Sequence, residues 1–211
     1  FGVSSFQLDQ ADRGFSFRLD APLDMRMNPE SGQPSAEEWL ANASRPELIE
    51  SIKDYGEEKN WRRIVDAVIE ARAKTPLYTT KALSELILSC LPAKQRYASK
   101  IHPATKVFQG IRIAVNKEIE AIEKGLPAAF ERLKPKGRMC VISFHSLEDR
   151  IAKNLFRQWA GRPAPCDNRP QDMRQRRASL LTRRPTQASD REIAANPRSR
   201  SAKLRALRKA E

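Results

Sequence analysis

Apolar residues recur at helical spacing along most of the chain, and a few stretches break that rule. Between 35 and 92 the pattern predicts four helices. Ser35 with Glu38 and Ser44 with Glu47 are Ser-x-x-Glu capping boxes, in which hydroxyl and carboxylate satisfy the free amides of a first turn, so two helices start there. The second of these carries Leu48, Ile49 and Ile52 and stops at Gly56. A third carries Trp61, Ile64, Val65, Val68 and Ile69; a fourth runs near 81–91 and ends before Pro92. Past His102-Pro103, the residues Val107, Ile111, Val115, Ile119, Ile122, Leu126 and Phe130 are spaced by threes and fours, which predicts one long amphipathic helix. KPKG (134–137) then makes a turn, and RMCVISF (138–144) is an apolar run of the kind that forms a strand buried on both faces. Helix, turn and buried strand are half of a βαβ unit. SAKLRALRK (201–209) fits a last edge strand or a short basic helix, and the Pro, Gln and Arg content of 160–177 suggests a mobile loop. SFRLDAPLDMRM (16–27) fits neither period, although it crowds aromatic, thioether, carboxylate and guanidinium groups around one proline.

Composition narrows the class. With 211 residues and 40% apolar content the chain can fill one large core or two small ones. No apolar run approaches the roughly 18 residues of a membrane span, and FGVSSFQLDQ lacks the basic start and apolar stretch of a signal peptide. A soluble, cytoplasmic protein without membrane partners is the expectation. Cys90, Cys140 and Cys166 are odd in number and scattered, which predicts reduced, structural thiols; with two histidines they make no metal site. Neither GxGxxG nor a P-loop pattern is present.

Charge adds a partner class. Up to Asp149, 22 Lys and Arg stand against 21 Asp and Glu, a net of +1; from Arg150 on, 17 stand against 5, a net of +12. Arginine dominates the excess, and a planar guanidinium can hold phosphate with two hydrogen bonds, so nucleic acid is the expected partner. A solvated basic tail without specificity is the alternative.

Two further loops carry candidate chemistry. GVSSFQLD (2–9) opens the chain with Gly2 and Val3 resembling a strand's last residues, as if the chain began mid-fold. SFHSLEDR (143–150) leaves the buried strand at the end where open α/β sheets bind ligands. Ser146 is expected to cap the next helix with Asp149 in its first turn and Glu148 beside it, while His145 faces the crevice as a hydrogen-bonding group. Adjacent His and Ser side chains on one strand end do not converge as a hydrolase pair does. His102 is expected to make a loop hydrogen bond.

GVSSFQLD, RGFSFRLDAPLDMRM, AEEWL, YGEEKNWRRI, HPATKVFQGIRIAVNKE, SFHSLEDR and NPRSRSAKLR follow one another across nearly the whole chain. Together they closely resemble the bacterial small-subunit ribosomal RNA cytosine methyltransferases of the RsmH (MraW) type. The resemblance implies an α/β, class I (Rossmann-like) fold that uses S-adenosylmethionine to methylate the exocyclic N4 amine of a cytidine in the decoding region of 16S rRNA. It also implies an inserted, mainly helical recognition domain. Residues 1–8 would be a strand end and cofactor-side loop, 9–104 the helical domain, and 105–211 the C-terminal half of the methyltransferase domain with its basic tail. Members of that family carry a further segment before GVSS that holds the first βα units and the cofactor-gripping glycine loop. The N-terminal part of the sheet is therefore expected to be missing from this chain, and cofactor binding by the chain alone to be weak. Of the family's cofactor contacts Gln7 is matched; an aspartate just before Phe1 is not. A non-catalytic RNA-binding or ribosome-assembly module is the rival reading.

A cytosine amine is a poor nucleophile because its lone pair is delocalised, so acceptors must hold its N–H groups and the base must be flipped against an apolar surface. On that logic SFRLDAPLDMRM is a wall of the site. Phe17, Met25 and Met27 would be its apolar surface, Asp20 and Asp24 its acceptors, and Arg18 and Arg26 its phosphate contacts. The alternative is an irregular connector that packs Phe and Met inward with Asp24 and Arg26 paired. Asp24 and His145 are the catalytic candidates, expected on opposite sides of the crevice. Phe17, Arg18, Arg26, Ser146, Arg198, Arg200 and Arg205 are the candidates for binding 16S rRNA or the small ribosomal subunit.

Overall fold

A computed structural model describes residues 1–97, 102–163, 170 and 173–211. The chain divides into two compact units: Val3–Glu118, and Phe1–Gly2 with Ile119–Glu211. No described helix is long and apolar enough to cross a membrane.

The first unit is helical. It contains α1 (Ser5–Asp9), α2 (Ala36–Asn42), α3 (Arg45–Ile49), α4 (Trp61–Lys74), α5 (Thr80–Ser89), α6 (Ala93–Tyr97) and α7 (Ala104–Asn116). Both expected capping boxes form: Glu38 accepts from the Ser35 amide at 2.8 Å and Glu47 from the Ser44 amide at 2.7 Å. After α3 the chain continues as a wider, π-type helical stretch, Glu50–Tyr55, and stops at Gly56 as expected. Leu40, Leu48, Ile52, Ile64, Val65, Val68, Leu83, Ile87 and Ile111 are buried in one core. The π-type stretch lies directly against α7. A Cβ added to Gly56 would stand 2.7 Å from the carbonyls of Ile52 and Lys106, and one on Gly110 would overlap the Ser51 carbonyl. Only glycine permits backbones this close.

The expected single helix from 107 to 130 is two helices. Lys117 takes a left-handed backbone (φ 50°), so α7 ends at Asn116 and α8 (Glu118–Arg132) starts afresh. The apolar period runs through the break undisturbed, but Val107, Ile111 and Val115 belong to the helical core whereas Ile122, Leu126 and Phe130 belong to the second unit's core. The division between units accordingly falls after Glu118 rather than after residue 104.

The second unit holds α8, β1 (Arg138–Ser143), α9 (Ser146–Trp159), β2 (Ala178–Leu180), β3 (Thr186–Gln187), α10 (Asp190–Ala195) and β4 (Lys203–Lys209). The stretch 201–209 is neither an edge strand nor a helix. β4 sits inside the sheet, antiparallel to β1 on one side and to β2 and β3 on the other. Every described pairing is antiparallel, so the βαβ expectation finds no parallel pair among the described residues. β1 alternates rather than burying both faces: Met139, Val141 and Ser143 point inward, while Cys140, Ile142 and the following Phe144 are exposed. An unbroken apolar run hides that alternation. The inward face packs on Phe156, Leu207 and a stack of Phe130 on Trp159, with ring centres 4.2 Å apart.

At the start of the chain the expected strand end at Gly2–Val3 is not found. The Phe1 nitrogen donates to the Ile142 carbonyl at 2.9 Å, and the next residues enter α1. Within 160–177, residues 164–169 and 171–172, and with them Cys166, lie outside the described residues. On either side of them the Arg177 amide donates to the Trp159 carbonyl at 2.8 Å, which holds the flanks together. Cys90 and Cys140 are free thiols.

Candidate functional site

The irregular stretch 16–27 is tied down along its length within the helical unit. Thr80 donates its hydroxyl to the Leu19 carbonyl at 2.9 Å, the Leu23 amide reaches the Tyr78 carbonyl at 3.0 Å, and the Ala36 amide reaches the Asp24 carbonyl at 2.6 Å. Asn116 closes the other side: its Oδ1 accepts from the Met27 amide at 2.6 Å and its Nδ2 donates to the Met25 carbonyl at 2.8 Å. Arg13 adds hydrogen bonds to the carbonyls of Arg26 and Met27 at 2.8 and 3.0 Å. Much of its backbone is thus paired without a ladder, which is how a segment without helix or strand becomes part of a core. Met25 has φ 59°, a left-handed conformation costly for a side chain of its size, while its thioether is buried.

These contacts match the packed connector. Leu23 and Met25 are buried, and Phe17 and Met27 are half-buried against the helical core. Phe17 stacks on His102 with centres 4.5 Å apart and meets Phe108 edge-on at 5.0 Å. Asp24 and Arg26 form a bidentate pair at 2.8 and 2.9 Å, and Arg26 also donates to the Pro29 and Gln33 carbonyls. Burial works against the Asp24 charge, but the hydrogen bonds from the Arg26 side chain and amide outweigh it and hold the carboxyl below its ordinary value. Asp20 accepts from the Lys81 amide at 3.4 Å. Arg18 alone among the five charged or aromatic groups of the wall presents an exposed side chain without a partner among the described residues. His102 makes the expected loop hydrogen bond, its Nδ1 accepting from the Ala104 amide at 3.2 Å.

Gln7 lies in α1, where Ser4 is the cap. Its Oε1 accepts from the Ser4 amide at 3.0 Å, closing a capping box that the sequence reading missed because the cap follows only three residues. Its Nε2 has no hydrogen bond among the described residues.

In SFHSLEDR the cap sits one residue earlier than expected: His145 is the N-cap and Ser146 the first residue of α9. Glu148 closes the turn, accepting at Oε2 from the Phe144 amide at 2.7 Å and the His145 amide at 3.4 Å. It is fully buried. Burial raises its pKa, but the His145 imidazole and the Phe144 amide more than reverse that, and the carboxyl is lowered overall. His145 Nε2 and Glu148 Oε1 stand 3.3 Å apart without hydrogen-bond alignment, so both ring nitrogens of this nearly buried histidine are unsatisfied among the described residues. Buried polar groups are rarely left so; Nε2 is the ring nitrogen that faces the Glu148 carboxylate, which leaves Nδ1 without a partner among the described residues.

The three arginines expected to touch phosphate differ. Arg200 is exposed and unpaired among the described residues, and Arg198 is exposed. Arg205, by contrast, is buried on the inner face of β4 and grips Asp149 of α9 at 2.7 and 3.0 Å, which fixes helix to sheet and removes its charge from solvent. Asp24 and His145 belong to different units. Asn116, Arg13 and Glu148, on which the two segments depend, carried no local signal beyond the acidic residue three places after the cap.

Residues 1–210 match the MraW methylase family. A protein of Heliobacterium modesticaldum named ribosomal RNA small subunit methyltransferase H is 48% identical over 99% of this chain and 66% of its own length. Proteins of the same name from Rhodopseudomonas palustris and Xanthomonas axonopodis pv. citri are 50% and 51% identical over 97% and 99% of this chain, each over 60% of its own length. The chain thus spans less than two thirds of the length of these relatives. A match that runs through the irregular stretch, the His145 turn and β4 alike leaves one conclusion: the chain belongs to the MraW methylase family.

Proposed function

We propose that the protein containing this chain transfers a methyl group to the exocyclic amine of a cytidine in small-subunit ribosomal RNA, with S-adenosylmethionine as donor. The observation that carries the reading is the family match over residues 1–210, joined to relatives about half identical that are named for methylating small-subunit rRNA. The donor would supply an electrophilic methyl on a sulfonium. This chain's part is to hold and orient. The spare amide N–H of Gln7 fits a hydrogen bond to such a donor, since its oxygen is already fixed and aims the group. The helical unit is read as a recognition domain inserted in a Rossmann-like fold, with Arg18 as its free phosphate contact and Phe17 as part of its packed surface.

For the amine itself, His145 is the better acceptor candidate. With Nε2 facing the Glu148 carboxylate as its N–H side, the Nδ1 of His145 is left to accept, whereas Asp24 has both oxygens on Arg26. An acceptor that strengthens as positive charge develops on the amine lowers the barrier more than it aids binding. Asp24 would then serve by holding Arg26, and Ser146 by opening α9. The test is single-turnover transfer of labelled methyl to small-subunit rRNA by the whole protein and its His145→Ala variant. The expected result is a rate at least about tenfold lower with RNA affinity nearly unchanged, a barrier increase of about 1.4 kcal/mol or more. An unchanged rate removes His145 from the chemistry.

A further inference from the structure

Across the sheet of the second unit, one row of side chains is arranged against its own electrostatics. Arg138 of β1 is directly opposite Arg208 of β4, and Arg208 is directly opposite Ser179 of β2. Side chains paired in this way share a face, and like charges directly opposite are destabilising. Both arginines are exposed, and neither has an acidic partner among the described residues. Beside this row lies a concavity of about 260 Å³ lined by Lys136, Arg176, Ala178, Ser179, Arg208, Lys209, Ala210 and Glu211. The one acidic side chain of that lining, Glu211, pairs with Lys136 at 2.7 Å on the open surface, where such pairs are weak. Lys209 is committed elsewhere: its ammonium donates to the carbonyls of Phe130, Glu131 and Leu133 at the end of α8, at 3.0 to 3.1 Å. Arg176, like Arg208, has no partner among the described residues.

We propose that this concavity is a phosphate site, in which Arg176 and Arg208 hold one backbone phosphate of the RNA with the Ser179 hydroxyl as a further donor. The volume is below the roughly 300 Å³ at which pockets for small molecules begin, which suits a phosphodiester and not a cofactor. Two free guanidiniums offer the forked geometry that phosphate accepts, and the anion would neutralise the Arg138–Arg208 repulsion, since neither arginine has an acidic partner among the described residues. The site lies away from the Arg205–Asp149 pair, which faces the other side of the sheet. The occupant rests on the reading that the protein acts on ribosomal RNA.

The experiment measures affinity of the whole protein for a small-subunit rRNA fragment at several salt concentrations, for the wild type, for Arg176→Gln with Arg208→Gln, and for a control that removes two exposed charges on α8, Lys124→Gln with Arg132→Gln. Methyl transfer at saturating RNA is measured alongside. The expected result is a slope of log affinity against log salt that falls by about one unit in the first variant, as for one lost phosphate contact, with transfer at saturation unchanged and the control nearly silent. An unchanged slope in a protein that still methylates RNA overturns the phosphate site and leaves the proposed function standing. An equal loss in the control also overturns it, by reducing the effect to general charge. A wild type that neither binds nor methylates RNA overturns the functional reading, and the RNA occupant with it.

Discussion

Arg26 grips Asp24, two residues before it, through a closed pair of hydrogen bonds: Nε to Oδ1 at 2.8 Å and Nη2 to Oδ2 at 2.9 Å. The pair is about three-quarters shielded from solvent, and the Arg26 amide adds a third bond to the same carboxylate. It locks the turn in which Met25 holds its left-handed backbone. Asp24→Asn keeps the shape but removes the charge, and is expected to cost about 1–3 kcal/mol of stability, read as a lower urea midpoint. Replacing Arg26 by Gln in the same protein should add little further loss if the two act as a unit. Full additivity would mean that each side chain works through other contacts.

Gly110 offers a case where local propensity and packing point in opposite directions. In an ordinary helix interior Gly→Ala stabilises by roughly 0.5–1 kcal/mol. In α7 the added methyl would overlap the Ser51 carbonyl, and backbone cannot swing aside as a side chain can. Gly110→Ala is therefore expected to destabilise, by about 1–3 kcal/mol as overpacked sites do. Thermal unfolding decides it, and a raised melting temperature would show that the two helical stretches are less tightly apposed.

Arg205 and Arg200 sit on opposite sides of a division between structural and solvent-facing charge. Arg205→Gln should lower stability on the order of 2–3 kcal/mol, because the nearly buried Asp149 loses its bidentate partner and keeps only the looser contact with Lys203 at 3.8 Å, and leave the salt slope of RNA binding almost unchanged. Arg200→Gln should leave stability within about 0.5 kcal/mol and reduce the slope. The reverse pattern would return Arg205 to the phosphate contacts.

Three carboxyls, Asp24, Glu148 and Asp149, oppose burial with hydrogen bonds and charges from Arg26, His145 and Arg205 in that order, and all are held below their ordinary values. A carboxyl lowered in the folded state contributes stability that is complete above its unfolded pKa, about 4, and is lost as pH falls through the folded value. Stability should therefore hold from neutrality to about pH 5 and decline below about pH 4. Urea midpoints at pH 7, 5 and 3.5 check the profile, and Asp149→Asn should flatten its acid limb. Stability that rose on acidification would contradict it.

Where the chain's signals were local, the sequence reading held. The capping boxes at Ser35 and Ser44, the stop at Gly56 and the strand at 138–143 depend on residues within a few positions of one another. The errors share another cause. The apolar period from Val107 to Phe130 continues through Lys117 because both helices bury the same phase in two different cores, so periodicity alone could not show the break. The 201–209 stretch was ambiguous because its central place depends on β1, more than sixty residues earlier. The wall was read from residue types. Its actual bonds, from Asn116 to Met25 and Met27 and from Thr80 to Leu19, are 61 to 91 residues long in sequence and leave no local trace. At the His145 turn the chemistry was visible, but the cap was placed on Ser146 because serine is the commoner capping residue.

The central claim is that the protein containing this chain methylates a cytidine amine in small-subunit rRNA, and the chemistry of the product tests it most directly. The whole protein is incubated with isolated small ribosomal subunits and methyl-labelled S-adenosylmethionine, the rRNA is digested to nucleosides, and the labelled nucleoside is identified by mass spectrometry. The account predicts label on cytidine alone, on its exocyclic nitrogen, and strongly reduced label with the His145→Ala variant. Label on a ring carbon, on a ribose or on another base, or an RNA that is bound without acquiring label, would contradict it.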